Sequence, residues 1–256
     1  MPGLSGAMQR LLDAIYPPRC VVCGRAGDVV CARCLNSMRP PEAPTCDHCG
    51  ATIQAAPHPA PQRCPECAAG HRLSLLDGVR VATTYTGAAR TALLALKFGR
   101  EQRVAGRLAT LLMAPFQCDI HMADMVIPVP LHRTRQRERG YNQAELLARA
   151  FAQLQGLPLR ADILERTRAT EAQTRLTAGE RQRNVAGAFR LADGATVKIA
   201  EKIVVLVDDV MTTGATLRAA AGALRDAGAG PVINCVVART AQSDASRDRQ
   251  RRPGPS

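Results

Sequence analysis

The sequence predicts an α/β fold, a parallel sheet flanked by helices, preceded by a small cysteine-rich module. Three observations predict it. Residues 203–207 form an uninterrupted apolar run, Ile-Val-Val-Leu-Val, too short for a core helix and rich in β-branched residues. That is the pattern of a central strand covered on both faces. Residues 215–227 then read as a helix, with Gly228 placed as its stop, so strand and helix alternate. Finally, eight of the ten cysteines occur as four Cys-x-x-Cys pairs within residues 20–67, a spacing that reads as metal ligation.

With 256 residues and 46% hydrophobic content the chain can bury one α/β domain and a small module. A formal net charge of +12 calls for an anionic partner, either phosphorylated small molecules or nucleic acid. Tryptophan is absent and aromatics reach only 3%, which argues against a single-strand binder built on rows of stacking rings. No run of 18 apolar residues occurs, and no basic stretch followed by an apolar core opens the chain. The expectation is therefore no membrane span, no secretory signal and a cytoplasmic location, where metal-bound thiolates fit better than disulfides.

Residues 1–19 hold a short amphipathic segment, 8–15, broken by Pro17-Pro18. Residues 20–70 follow as the metal module, with Cys20/Cys23, Cys31/Cys34, Cys46/Cys49 and Cys64/Cys67 separated by Pro, Gly and Ala. So little aliphatic surface cannot fold such a segment, and tetrahedral zinc held by four thiolates supplies what is missing. Eight thiolates suit two structural zinc ions. The simplest arrangement puts the first four cysteines on one ion and the last four on the other, and an interleaved pairing stays open. His48, His58 and His71 read as polar loop residues. A four-thiolate site has no vacant coordination position, so the zinc is structural.

The main domain is expected over 79–240. Residues 79–85 have strand character, and Gly87 turns the chain into a helix over 88–98 that ends in Lys97-Phe98-Gly99-Arg100. Those two cations either complement the helix dipole or touch a substrate. A packing helix over 102–114 comes next, and then a strand over 125–129. That strand runs into a loop with Arg133, Arg135, Arg137 and Arg139, whose forked donors suit pyrophosphate oxygens. Asn142 caps the next helix, with Glu145 placed as in a capping box and Leu146, Leu147, Ala150, Phe151 and Leu154 as its apolar stripe. Residues 166–178 read as a mobile loop, 232–237 as one more buried strand with Cys235 in the core, and 241–256 as a disordered basic tail. Cys118 reads as an inert thiol.

The chemistry concentrates after the run at 203–207. Asp208 and Asp209 are acceptors suited to vicinal hydroxyls and to a nearby Mg²⁺. Thr212, Thr213, Gly214, Ala215 and Thr216 then lie between a strand's carboxyl end and a helix's amino end, where unpaired N–H groups and the helix dipole favour an anion. Hydroxyl acceptors beside a phosphate cradle describe a ribose 5-phosphate.

This stretch resembles the 5-phosphoribosyl-1-pyrophosphate (PRPP) signature of type I phosphoribosyltransferases: apolar strand, two acids, an apolar residue and a Thr-Thr-Gly-Ala-Thr loop. Together with the cysteine-pair head, Tyr85, Lys97 to Arg100, Val129 to His132 and Arg139 to Ala144, it stands in the order seen in ComF-type competence proteins. The similarity covers roughly 12–240. It implies a type I phosphoribosyltransferase-like sheet behind a double zinc ribbon. It further implies that Thr212 to Thr216 hold the 5-phosphate and Asp208 and Asp209 the ribose hydroxyls. Mg²⁺ would bridge hydroxyls and pyrophosphate, and arginines such as Arg133, Arg137 and Arg139 would hold the leaving group. The loop at 166–178 resembles the flexible loop that closes over PRPP in type I enzymes. Three functions stay open on the sequence: transfer of a phosphoribosyl group, handling of single-stranded DNA, and sensing of PRPP or a nucleotide without turnover. The zinc module could dock a protein partner in each.

Overall fold

The computed structural model describes residues 16–41, 46, 53, 65–68, 78–114, 122–168 and 187–240. The amphipathic segment 8–15, Cys49, Cys64, Cys118, the three loop histidines, most of the 166–178 loop and the tail from 241 lie outside the described residues.

In chain order the elements are α1 (Ala32–Asn36), α2 (Pro65–Ala68), β1 (Val79–Thr84), α3 (Gly87–Phe98), α4 (Val104–Leu111), β2 (Met125–Pro128), α5 (Arg133–Arg139), α6 (Gln143–Gln155), β3 (Leu164–Arg166), β4 (Phe189–Leu191), α7 (Thr196–Ile199), β5 (Val204–Met211), α8 (Ala215–Asp226) and β6 (Val232–Arg239). The main sheet has the order β1-β6-β5-β2, with every neighbouring pair parallel. Its two central strands are largely apolar in their first halves because both faces are covered, with buried Asn234 of β6 the polar exception. One face, through Val205, Val207, Cys235 and Val237, packs on Leu93, Leu96, Leu108, Leu147 and Phe151 of α3, α4 and α6. The opposite face, through Val204, Leu206, Val232 and Val236, packs on Leu217, Ala220, Ala221 and Leu224 of α8 together with Leu164 and Phe189.

The structure corrects the sequence reading in five places. β5 does not stop at residue 207; it runs through both aspartates to Met211, because β6 keeps pairing with it through Met211 and Arg239. On its other side β2 ends where Pro128 meets Val207. Beyond that point this edge of β5 has no strand partner among the described residues. The arginine stretch is the helix α5, not a loop, with His132 Nδ1 accepting from Thr134 N at 3.3 Å and Gly140 closing it in the left-handed conformation. Asn142 does cap α6, accepting from Ala144 N at 3.1 Å, but Glu145 turns away to Arg149 at 2.8 Å instead of completing a capping box. Leu154 of the expected apolar stripe is exposed. An antiparallel pair, β3 with β4, was not anticipated at all.

The cysteine module is packed on the main domain. Cys20, Val29, Val30, Cys34 and Met38 belong to the same core as α3 and α4. Arg107 of α4 donates to Val30 O at 3.2 Å and pairs with Asp28 at 3.1 Å. Thr83 Oγ1 of β1 donates to Arg39 O at 2.6 Å.

Candidate functional site

The sulfur atoms of Cys20, Cys23, Cys31 and Cys34 all lie within 4.8 Å of one another. This brings the first two pairs to one point, as the non-interleaved arrangement requires. Cys46 and Cys67 are buried, while their expected partners Cys49 and Cys64 lie outside the described residues. Burial pushes the Cys20 thiol up, but N–H groups of Cys31, Cys23 and Val22 more than offset that and bring it down to about 6. The Cys34 thiol goes the other way, raised to about 12 by burial and by the sulfurs crowded around it. Cys20 drawn toward ionisation beside a Cys34 that resists it is what a closed thiolate shell looks like without its cation. The donor set fits Zn²⁺, whose charge would relieve that crowding.

A cleft of about 710 Å³ opens at the free edge of β5. It is lined by Asp208, Asp209, Thr212 and Thr216, by Lys97, Phe98 and Arg100 from the end of α3, by Arg135, Glu138 and Arg139 of α5, and by Arg166 of β3. Successive strand residues point to opposite faces, so the two aspartates leave β5 on opposite sides of the sheet. Asp209, on the α3 side, is buried and its Oδ2 lies 3.0 Å from Lys97 Nζ. Its Oδ1 accepts from Val210 N at 2.6 Å. Asp208 Oδ1 accepts from Asp209 N at 2.8 Å. Desolvation and the neighbouring Asp209 carboxylate push Asp208 up to about 7, against the pull of that N–H and of the Lys97 and Arg166 charges. The Arg166 guanidinium is itself buried over the Phe189 ring, 5.3 Å from its centroid, and burial together with the Arg135 charge holds its pKa below the usual arginine range.

After Met211, the Thr212–Thr213 turn leads into α8 through Gly214. At φ 75° this residue takes the left-handed conformation that glycine adopts without strain. Gly214, the N-cap of α8, has no side chain with which to cap it, and the first turn of a helix carries N–H groups without intrahelical partners. The buried Oγ1 of Thr213 has no hydrogen-bond partner among the described residues. An orphaned hydroxyl beside a helix amino end suits an anion.

The end of α3 is built for the cleft. A Cβ on Gly99 would meet Ala95 O at 2.8 Å, so only glycine allows the close turn there. Arg100 follows at φ 54°, a conformation non-glycine residues rarely hold. Arg139 lies over the Phe98 ring, 5.0 Å from its centroid, and donates to Gln143 Oε1 at 3.0 Å. Tyr141 OH donates to Leu96 O. Two motifs separated by some forty residues thus meet, and Lys97 acts as a clamp on Asp209 in addition to sitting at a helix end.

Of the arginines singled out from sequence, Arg139 lines this cleft. Arg133 instead lines a second cavity of about 540 Å³ with His132, Glu165 and Arg190, and Arg137 lines neither. Helical geometry is the reason. Residues four apart share a face, so Arg135 and Arg139 point together into the cleft and Arg133 and Arg137 point elsewhere. The sequence offers Arg135 only as one of four arginines facing pyrophosphate and gives Arg166 no role. Reading α5 as a helix pairs Arg135 with Arg139, whereas a three-residue strand such as β3 carries no periodic signal for Arg166.

Comparison with known proteins fits this architecture. Residues 11–68 match the double zinc ribbon domain, and residues 138–251 match the phosphoribosyl transferase domain. The molecule is thus a phosphoribosyltransferase-fold protein with a zinc-ribbon head. It is 30% identical over 219 residues to Competence protein F of Haemophilus influenzae, covering 82% of this chain and 92% of that one. The chain belongs to the ComF-type competence protein family. It is also 36% identical over 150 residues to the DNA utilization protein YhgH of Salmonella typhimurium, a match spanning 57% of this chain and 64% of that protein. The counterpart from Escherichia coli K12 is 34% identical over the same length. Among solved structures, one titled as the allosteric regulatory enzyme of purine biosynthesis overlaps 57% of this chain and 30% of its own at 22% identity and TM-score 0.39.

Proposed function

We propose that the cleft binds a phosphorylated ribose, with PRPP as the ligand it suits best. One observation supports this above the others: an acid pair at the end of β5 runs directly into a helix amino end whose N-cap is glycine, beside a threonine hydroxyl with no partner among the described residues. In this reading Thr212, Thr213, Gly214, Ala215 and Thr216 hold the 5-phosphate, and Asp208 and Asp209 accept from the ribose hydroxyls. Arg139 takes the pyrophosphate, joined by Arg135 from the same helix face. Arg133 and Arg137 remain candidates for the outer part of a longer ligand.

Mg²⁺ bound with PRPP would supply charge neutralisation to the pyrophosphate, and the two aspartates are the acceptors beside it. The chain's own contribution to transfer is positional. Lys97 and Arg166 steady the aspartates from the two sheet faces, and the arginines stabilise the charge that grows on departing pyrophosphate. Transfer to an acceptor is the finer part of the proposal. The enclosing experiment is thermal: PRPP with Mg²⁺ raises the melting temperature of the chain, as any ligand of the folded state does. No rise at millimolar PRPP contradicts the reading.

A second reading has specific support in the relatives' names, competence and DNA utilization. Here the same phosphate cradle takes the backbone of a single DNA strand. Affinity for a labelled strand then falls steeply with salt, and a flat response contradicts it. The zinc head is available in either case for docking a protein.

A further inference from the structure

Phe98 stands out once the cleft is described. It is 67% exposed in a chain with only four phenylalanines, three tyrosines and no tryptophan. A lone exposed apolar side chain on an open surface is ordinary. Phe98 instead lines the cleft, one residue from the lysine that clamps Asp209, on a helix end held by a close glycine turn and a left-handed arginine. One ring face carries the Arg139 guanidinium, and Gln143 holds that guanidinium in place. The rest of the ring is free to receive another flat group.

An aromatic ring and a guanidinium stacked together bind planar heteroaromatic rings through their π faces, whatever the ring's edge pattern. We propose that Phe98 and Arg139 form a base-stacking subsite, so that the cleft takes a nucleobase attached to the sugar phosphate. This rests on the sugar-phosphate reading of the same cleft and deepens it: a nucleotide combines hydroxyls, phosphate and a flat ring in one molecule. Asp208, Asp209 and the threonine loop take the sugar and phosphate, while the end of α3 takes the ring. The nucleotide can be free or the 5′-phosphorylated end of a single strand, because both present the same base, sugar and phosphate.

The absence of tryptophan makes the test direct. Phe98→Trp creates a single tryptophan, and the high exposure of the position makes both this change and Phe98→Ala compatible with the fold. Adenosine 5′-monophosphate is expected to quench the emission of Phe98→Trp saturably, whereas ribose 5-phosphate binds by calorimetry without quenching. Phe98→Ala weakens the mononucleotide about 5- to 150-fold and ribose 5-phosphate less than about twofold. Adenosine without phosphate still quenches, at higher concentration. A 5′-phosphorylated oligothymidylate that quenches at lower concentration than thymidine 5′-monophosphate points to a strand end, and the reverse order to a free nucleotide. The proposal is overturned if the mononucleotide binds without quenching or with equal affinity to Phe98→Ala. Failure of ribose 5-phosphate to bind while adenosine quenches removes the sugar-phosphate reading and leaves the stacking subsite standing.

Discussion

Four thiols within 4.8 Å of one another in the head and two adjacent carboxylates at the edge of β5 are both crowds of acids, yet they are resolved in different ways. Around the cysteines Arg25 and Arg33 line the adjoining cavity, yet no cationic side chain enters the causes of the Cys20 and Cys34 shifts; the sulfurs enclose a point, and the Cys34 thiol is forced up to about 12. Around the aspartates the protein supplies its own cations, Lys97 at 3.0 Å from Asp209 and Arg166 on the Asp208 side, and leaves a cleft in front. A crowd of thiols closed around one point suits a metal and makes a structural site. One that is half settled by fixed side chains, with open volume beside it, makes a ligand site. The two are joined through α3, which packs on the head at Cys34 and delivers Lys97 to the cleft.

The largest expected effect lies on the metal side of this contrast. Two zinc ions per chain are expected by metal analysis, and Cys34→Ser reduces that to one. Because Cys20 and Cys34 lie in the same core as α3 and α4, loss of that ion costs several kcal/mol, of the order of a structural zinc's share in folding. Melting of the whole chain shifts down by many degrees. An unchanged melting curve in the metal-depleted protein breaks the comparison.

On the cleft side, Asp209→Ala strands the Lys97 ammonium, whose side chain is only 18% exposed. Breaking such a pair costs about 2–4 kcal/mol in a denaturant titration. Replacing both partners, Lys97→Met with Asp209→Leu, recovers most of that stability and still loses ligand.

Asp208 sharpens the contrast through its sign. Its folded pKa, about 7, lies above the usual carboxylate value, so the folded state holds a proton that the unfolded state releases. Stability from this group is fully present below the ordinary aspartate pKa and is lost as pH rises through about 7. Asp208→Asn is therefore more stable than the parent at pH 8, by about 1–4 kcal/mol. The advantage fades as pH falls from 7 to 4. An advantage that is constant with pH contradicts the desolvated, like-charge environment assigned to this residue.

The smallest effect separates the two faces of α5. Arg135→Ala weakens PRPP or inorganic pyrophosphate roughly tenfold, the loss of one charged hydrogen-bonding group, while Arg133→Ala changes it by less than about twofold. Equal losses would mean that α5 does not present one face to the ligand.

Much of this was legible in the sequence, and the reasons are specific. The apolar run at 203–207 and the Gly228 stop announce β5 and α8, because central parallel strands and helix ends leave short, strong signals. Asn142 as a cap reads correctly for the same reason. The paired spacing of the cysteines points to a metal cluster, and four of them do meet. What stayed hidden depends on tertiary partners. The extension of β5 through its aspartates is imposed by β6, and polar residues in a strand look like its end. Four arginines alternating with polar residues have no apolar stripe, so the sequence does not announce α5 as a helix or separate the face of Arg135 and Arg139 from that of Arg133 and Arg137. Lys97 had two readings on sequence. Its bond to Asp209, more than a hundred residues away, is visible only in the fold.

The central claim, that the edge of β5 is a phosphoribosyl site, is tested most directly by calorimetric titration of PRPP with Mg²⁺ into the zinc-loaded parent and into Asp208→Asn/Asp209→Asn. The account predicts saturable heat for the parent and none for the variant, with the variant still folded by circular dichroism. No heat with the parent, or the same affinity in both proteins, would contradict it.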